Sequence, residues 1–163
     1  MNHQALIERS HKQAVAKGFW EEPLTFDMAM ALIISEIAEA LEAYRKGRVN
    51  PDWNDTQAVK ESFEVELADA IIRIYDWCGG NKLDVSAFPE HDTKFTENEG
   101  KNFMILFGNV TSIYNDDAQT WSLNYLLSSL YKYAEYHNID IEKYIMWKLD
   151  YNLSRPFKHG KQF

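Results

Sequence analysis

Two pairs of acidic residues stand in stretches of the sequence that are otherwise apolar. Glu36 and Glu39 lie three residues apart, and Glu66 and Asp69 repeat this spacing. In a helix, residues three apart project from the same face, so each pair presents two carboxylates together. Carboxylates without histidine or cysteine partners are typical ligands of hard cations such as Mg²⁺ or Mn²⁺. The four acids are therefore candidate metal ligands.

The second pair lies in apolar surroundings, where burial of an ionised carboxylate without a partner is unfavourable. The stretch 55–78 is apolar on nearly every side, and a helix of that kind is buried. A lone carboxylate in a dry core costs at least several kcal/mol unless protonation, an ion pair or a metal compensates it. The first pair allows a second interpretation, in which both glutamates face solvent and pair with Arg45 or Lys46.

Helices must position these acids. The chain has only seven glycines and four prolines, and no pair of strands joined by a two-residue turn is evident. The sequence therefore predicts an all-α protein, built as an antiparallel helical bundle. Glycines that can cap helices follow several of the apolar stretches. We expect helices over 2–17, 26–46, 55–78, 100–115, 117–137 and 140–154, with a loop over 19–25 and an irregular polar stretch over 84–98.

The composition limits the class of protein and its partners. A length of 163 residues favours a single domain over 1–163. The net charge of −8 argues against a broad grip on a nucleic-acid polymer. The single cysteine, Cys78, excludes an intramolecular disulfide. No apolar run reaches the roughly 20 residues of a membrane span, and the N-terminal residues do not read as a signal peptide, so we expect a cytoplasmic protein without membrane contact.

The acidic pairs also resemble the signature of a known family. Residues 35–43 followed by 66–69 are similar to the Glu-x-x-Glu, spacer and Glu-x-x-Asp pattern of the MazG-like, all-α nucleoside triphosphate pyrophosphohydrolases. Members of that family often carry an additional Glu just before the first motif, where this chain has Ser35. All four acids of the motif itself are present in this chain.

Two further segments carry the resemblance. Residues 17–22 look like a Gly-Trp-Trp segment of the family, in which Trp20 would either stack on a nucleobase or anchor its loop. Residues 148–161 resemble the Lys, Asn, Arg-Pro and Lys-His-Gly pattern at the end of short phage and bacterial members. Residues 143–163 hold five basic residues and one acid, which suits either phosphate binding or a solvated tail. The resemblance favours phosphate contacts by Lys148, Asn152, Arg155 and Lys158.

The resemblance implies an activity, a cofactor and an assembly. The activity would be hydrolysis between the α- and β-phosphates of a nucleoside triphosphate, giving a nucleoside monophosphate and pyrophosphate. The four acids would hold Mg²⁺ or Mn²⁺, and one of the first pair, Glu39 or Glu36, would act on the attacking water. We further expect a homo-oligomer, a dimer or a tetramer. The alternative is a non-catalytic nucleotide-binding or adaptor module that retains the fold.

A di-iron carboxylate bundle is a competing interpretation, and the spacing of the acids argues against it. Such bundles use Glu-x-x-His on two helices. Neither Glu36 nor Glu66 has a histidine three residues later. The carboxylate pattern therefore favours a hard divalent cation such as Mg²⁺ or Mn²⁺.

An additional segment, 84–136, separates the second acidic helix from the tail helix, whereas compact members of the family pass almost directly between them. In a weak internal repeat, residues 81–85 resemble residues 138–141, with Asp84 matching Asp140. At that offset, Ser122 and Tyr125 stand where the second acidic pair does. We interpret the segment as a degenerate second helix pair that packs against the first without binding metal. A chance likeness between amphipathic helices is the alternative.

Overall fold

Helices account for all the regular structure in the part of the chain that the structure describes. The structure is a computed structural model, and it describes residues 2–22, 24–85, 88–89, 92–113 and 119–160. The prediction of an all-α protein is confirmed. No helix in these ranges is long and apolar enough to cross a membrane. The elements are α1 (His3–Ala16), α2 (Phe26–Arg45), α3 (Thr56–Lys60), α4 (Phe63–Asn81), α5 (Glu99–Ile113), α6 (Gln119–Tyr136), α7 (Ile141–Ser154) and a 3₁₀ turn (Phe157–Gly160).

Three details of the sequence prediction lie outside the described residues. They are Pro23 in the predicted loop, Lys161 in the tail motif, and the predicted helix boundaries at 115 and 117. Elsewhere the predicted helices agree with the observed ones to within a few residues, with one exception.

The exception is the predicted helix 55–78, which is wrong because the chain forms two helices there, α3 and α4. Ser62 begins α4 as its N-cap, and its hydroxyl accepts from the backbone N–H of Val65 at 3.3 Å. The backbone N–H of Phe63 donates to the carbonyl of Arg48 at 2.9 Å. A capping serine that satisfies free N–H groups begins a new helix, so the apolar pattern runs on while the helix restarts.

The end of α4 lies beyond the predicted position, because the helix continues through Gly79 and Gly80 to Asn81. Both glycines allow a close approach. A β-carbon on Gly79 would crowd His11, and one on Gly80 would overlap the ring of Trp20. The two glycines therefore permit α1 and its following loop to pack on α4, rather than ending the helix.

The helix pair that carries the acids forms the centre of the packing. α4 packs against α1, α2, α6 and α7, and twelve of its nineteen residues are buried. Ile33 and Ile37 of α2 and Ile71 of α4 are fully buried. Burial of each such side chain contributes about 1.5–3 kcal/mol. The backbones that bear the two acidic pairs are therefore held rigidly together.

The additional segment covers this pair. α5 packs on α6 and α2, and α6 packs on α4. Ser122, which corresponds to Glu66 in the weak repeat, is buried. The packing agrees with a second helix pair laid on the first, and the repeat itself stays a prediction.

Candidate metal and nucleotide site

Three of the four predicted metal ligands meet where α2 packs on α4. One carboxylate oxygen each of Glu36, Glu39 and Glu66 lies within 4.8 Å of the others. Glu36 is only 6% exposed, Glu66 is partly buried and Glu39 is exposed. Oxygens that share an octahedral Mg²⁺ at about 2.1 Å stand roughly 3 to 4 Å apart. Three carboxylate oxygens gathered this closely make a donor set that fits a hard divalent cation.

Asp69, the fourth predicted ligand, is held by a cation. Its Oδ2 atom lies 2.5 Å from the Nζ atom of Lys148, and both side chains are largely buried. Burial alone would lower the pKa of the Lys148 ammonium, but the neighbouring acids, Asp69 foremost, raise it above its ordinary value. The lysine therefore stays charged and balances part of the negative charge of the cluster.

Arg73 is a second cation at the cluster, and the sequence alone did not single it out. Its Nε atom donates to Oε1 of Glu36 at 3.0 Å. This pairing and the burial of Glu36 overturn the interpretation in which that carboxylate faces solvent. Arg45 and Lys46 instead pair with Glu42 on the exposed side of α2.

The polar residues of α4 form one stripe along an otherwise apolar helix. The stripe is Glu66, Asp69, Arg73 and Asp76, with successive spacings of three, four and three residues. Such spacings place side chains on one helical face. The sequence therefore contained a signal for Arg73, because a basic residue continues the stripe that the two acids begin.

Crowding and burial shift the titration of the clustered acids. Burial, and then the charge of Asp69, raises the pKa of Glu66 to about 8. Burial and Asp69 also raise the pKa of Glu36, although the adjacent Arg73 opposes this shift. These raised pKa values mean that the ionised carboxylates are unfavourable in the fold. A cation bound among them would therefore stabilise the ionised form.

The acids line a cavity of about 210 Å³ that also has basic walls. It is lined by the four predicted ligands together with residues of α1, α7 and the loop between α1 and α2. A cavity with both signs of charge suits a ligand that combines a metal ion with phosphates. Its basic lining residues are Lys17, Lys60, Arg73, Lys148 and Arg155.

α7 and the residue that follows it bring three of the four predicted phosphate-binding residues to the cavity, namely Lys148, Asn152 and Arg155. The helix ends at Ser154, and Arg155 has an extended backbone, as expected of a residue that precedes proline. The Nζ atom of Lys17 donates to the backbone carbonyl of Arg155 at 2.5 Å. This contact fixes the end of α7 against the end of α1.

Two predicted site residues, Lys158 and Trp20, lie outside the described lining of the cavity. The Nζ atom of Lys158 lies 3.5 Å from a carboxylate oxygen of Glu21. The indole N–H of Trp20 donates to Oδ1 of Asp76 at 2.8 Å, and its ring packs against the core. Its neighbour Phe19 lines the cavity. The geometry favours an anchoring role for Trp20, which places Phe19 at the site.

Comparisons with known proteins give no family assignment. No family model, curated protein or solved structure matches this chain. The resemblance to the MazG-like enzymes therefore rests on the motif residues.

Proposed function

We propose that this protein is a Mg²⁺-dependent nucleoside triphosphate pyrophosphohydrolase with a MazG-like, antiparallel helical bundle. It would cleave a nucleoside triphosphate between the α- and β-phosphates and release a nucleoside monophosphate and pyrophosphate. The observation that carries the proposal is the meeting of Glu36, Glu39 and Glu66 in a cavity that also holds charged Lys148 and Arg73. Phosphate-transfer chemistry requires chiefly positioning and neutralisation of charge, and this cavity offers groups for both.

The carboxylates of Glu36, Glu39 and Glu66 would hold the ion, with Asp69 beside them. When bound, Mg²⁺ neutralises charge on phosphate oxygens and lowers the pKa of a coordinated water. Mn²⁺ prefers the same oxygen ligands and should substitute for it.

Glu39 is the best candidate for the base that takes a proton from the attacking water. It is exposed to the cavity, whereas Glu36 is already paired with Arg73. The hydroxyl of Ser35 donates to Oε1 of Glu39 at 3.3 Å and helps to orient it. As the water oxygen bonds to phosphorus, its proton passes to this carboxylate, and the bridging oxygen leaves with the departing phosphate group.

The residues of α7 would bind the phosphates. The guanidinium of Arg155 can contact two phosphate oxygens at once, and the ammonium of Lys148 supplies a compact charge. Both line the cavity together with Asn152, whose amide N–H would donate to a phosphate oxygen while its Oδ1 atom stays a free acceptor. The homo-oligomer implied by the resemblance remains a prediction, which light scattering during size-exclusion chromatography would check.

Product analysis by ³¹P NMR tests the proposal. The protein, incubated with each deoxynucleoside triphosphate and Mg²⁺, should give equal amounts of monophosphate and pyrophosphate. EDTA or Glu36→Gln should abolish the signal, whereas Glu42→Gln, an exposed change on the same helix, should keep it. Products consisting of a nucleoside diphosphate and inorganic phosphate would contradict the proposed cleavage between the α- and β-phosphates. Nucleotide binding without any product would support the adaptor alternative.

A further inference from the structure

One part of the cavity lining is uncharged, and its residues come from other elements than those that carry the metal cluster. α1 contributes Ser10, Gln13 and Ala14 to it, α7 contributes Leu149, and the loop after α1 contributes Phe19. Ser10 and Gln13 are three residues apart, so α1 presents them on one face. This wall suits the part of a nucleotide that carries no charge, which is the base and its sugar.

Three polar atoms on residues that line the cavity have no hydrogen-bond partner among the described residues. Oγ of Ser10, Oε1 of Gln13 and Oδ1 of Asn152 are buried without a hydrogen bond to the described part of the chain. The residues themselves are 2%, 9% and 9% exposed. A buried polar atom without a partner loses the hydrogen bonds that water would give it, which is unfavourable. Three of them on one cavity indicate that a ligand supplies the missing partners.

The orientation of the Gln13 amide is fixed by its other hydrogen bond. Its Nε2 atom donates to the backbone carbonyl of Leu149 at 2.7 Å. A carbonyl oxygen only accepts, so the nitrogen must face it, and Oε1 must be the free end. Gln13 therefore offers an acceptor and requires a donor from its ligand.

Phe19 adds an aromatic surface beside these atoms. Its ring is partly exposed on the cavity, and the guanidinium carbon of Arg73 lies 6.0 Å from the ring centroid. The adjacent Trp20 is tied to Asp76, which holds the backbone of this loop in place. An aromatic ring in that setting can stack on any of the nucleobases.

We propose that Gln13, with Asn152 and Ser10, binds the nucleobase and selects bases that carry an exocyclic amino group. This inference rests on the proposed function, since it names the class of substrate for the same cavity. The amino group of cytosine or adenine has two N–H bonds, which match the two amide oxygens. The hydroxyl of Ser10 donates to the ring nitrogen next to that group. Uracil has a carbonyl oxygen at the same position. This oxygen only accepts hydrogen bonds and would face the amide oxygens of Gln13 and Asn152, which also only accept.

Binding of uncleavable nucleotides tests this selection without requiring turnover. The probes are the α,β-imido analogues of dCTP and dUTP, titrated calorimetrically into the full-length protein with Mg²⁺. We expect the wild type to bind the cytosine analogue at least tenfold more tightly, and Gln13→Leu to bring the ratio close to one. Gln4→Leu, a matched change at an exposed glutamine of α1, should keep the wild-type ratio. The corresponding pair for deoxyadenosine and deoxyinosine should behave in the same way.

The ratio compares two ligands on one variant, so a partly unfolded sample does not alter it. If Gln13→Leu does not fold, Ser10→Ala replaces it and should lower the ratio by severalfold. Equal binding of the two analogues by the wild type, or an unchanged ratio in both variants, would overturn the inference. The predicted ratio together with a failure to cleave either natural triphosphate would support this base selection and refute the proposed function.

Discussion

Replacing Glu66 by glutamine should stabilise the metal-free protein while it removes a metal ligand. The pKa of Glu66 rises to about 8 in the fold from an ordinary value of 4.5. At pH 7 the unfolded chain carries this carboxylate ionised, whereas the folded chain must bind a proton there. About 2.5 pH units separate pH 7 from the unfolded value, at about 1.36 kcal/mol for each. Glu66→Gln should therefore raise the free energy of unfolding by roughly 3 kcal/mol at pH 7 without metal.

The gain in stability must depend on pH in one direction. Because the pKa of Glu66 is raised on folding, the folded state keeps a proton that the unfolded state releases between pH 4.5 and about 8. The wild type therefore loses stability as the pH rises through that window. Glutamine does not titrate, so the advantage of the variant should fall below about 1 kcal/mol at pH 5.

Urea unfolding in EDTA, followed by far-ultraviolet circular dichroism at pH 5 and pH 7, measures both quantities. Glu42→Gln is the matched control, since its carboxylate is exposed and paired with Lys46 and Arg45. This control should gain no stability at pH 7. The reasoning fails if Glu66→Gln is less stable than the wild type in EDTA at pH 7, or if its gain is equal at the two pH values.

Three further substitutions test separate features of the fold by the same unfolding measurement. Lys148→Met leaves Asp69 as a largely buried carboxylate without its cation, so stability should fall by about 3–5 kcal/mol; an unchanged value would contradict the ion pair. Gly80→Ala should displace the ring of Trp20, which lowers stability and shifts the tryptophan emission, whereas an unshifted spectrum would argue against this contact. Gly108→Ala meets open space within α5 and should stabilise the protein by about 0.5–1 kcal/mol.

The positions of the acids were largely predictable from local pattern. Glu36 and Glu66 each begin an acidic pair at helical spacing inside an apolar stretch, and burial of those stretches brings α2 onto α4. Because the packing of apolar faces decides which helices meet, the acids on those helices meet as well. The local sequence pattern alone therefore indicated the cluster.

The partners of the acids were harder to foresee. Asp69 pairs with Lys148, which lies 79 residues further along the chain on another helix, and no local pattern encodes that contact. The break before α4 depends on the hydroxyl of Ser62, which offers a cap while the apolar periodicity runs on unchanged. The free acceptor of Gln13 depends on its bond to Leu149 across two helices. Tertiary neighbours, rather than spacing, determine each of these features.

Titration with Mn²⁺, followed by electron paramagnetic resonance of the free ion, tests most directly whether α2 and α4 share one divalent cation. Glu36→Gln and Glu66→Gln should each weaken binding at least tenfold, and the double variant should fall short of the product of the two effects, because both residues hold the same ion. Glu42→Gln should bind Mn²⁺ like the wild type. If either Glu36→Gln or Glu66→Gln leaves the affinity for Mn²⁺ unchanged, the two helices do not share a metal site.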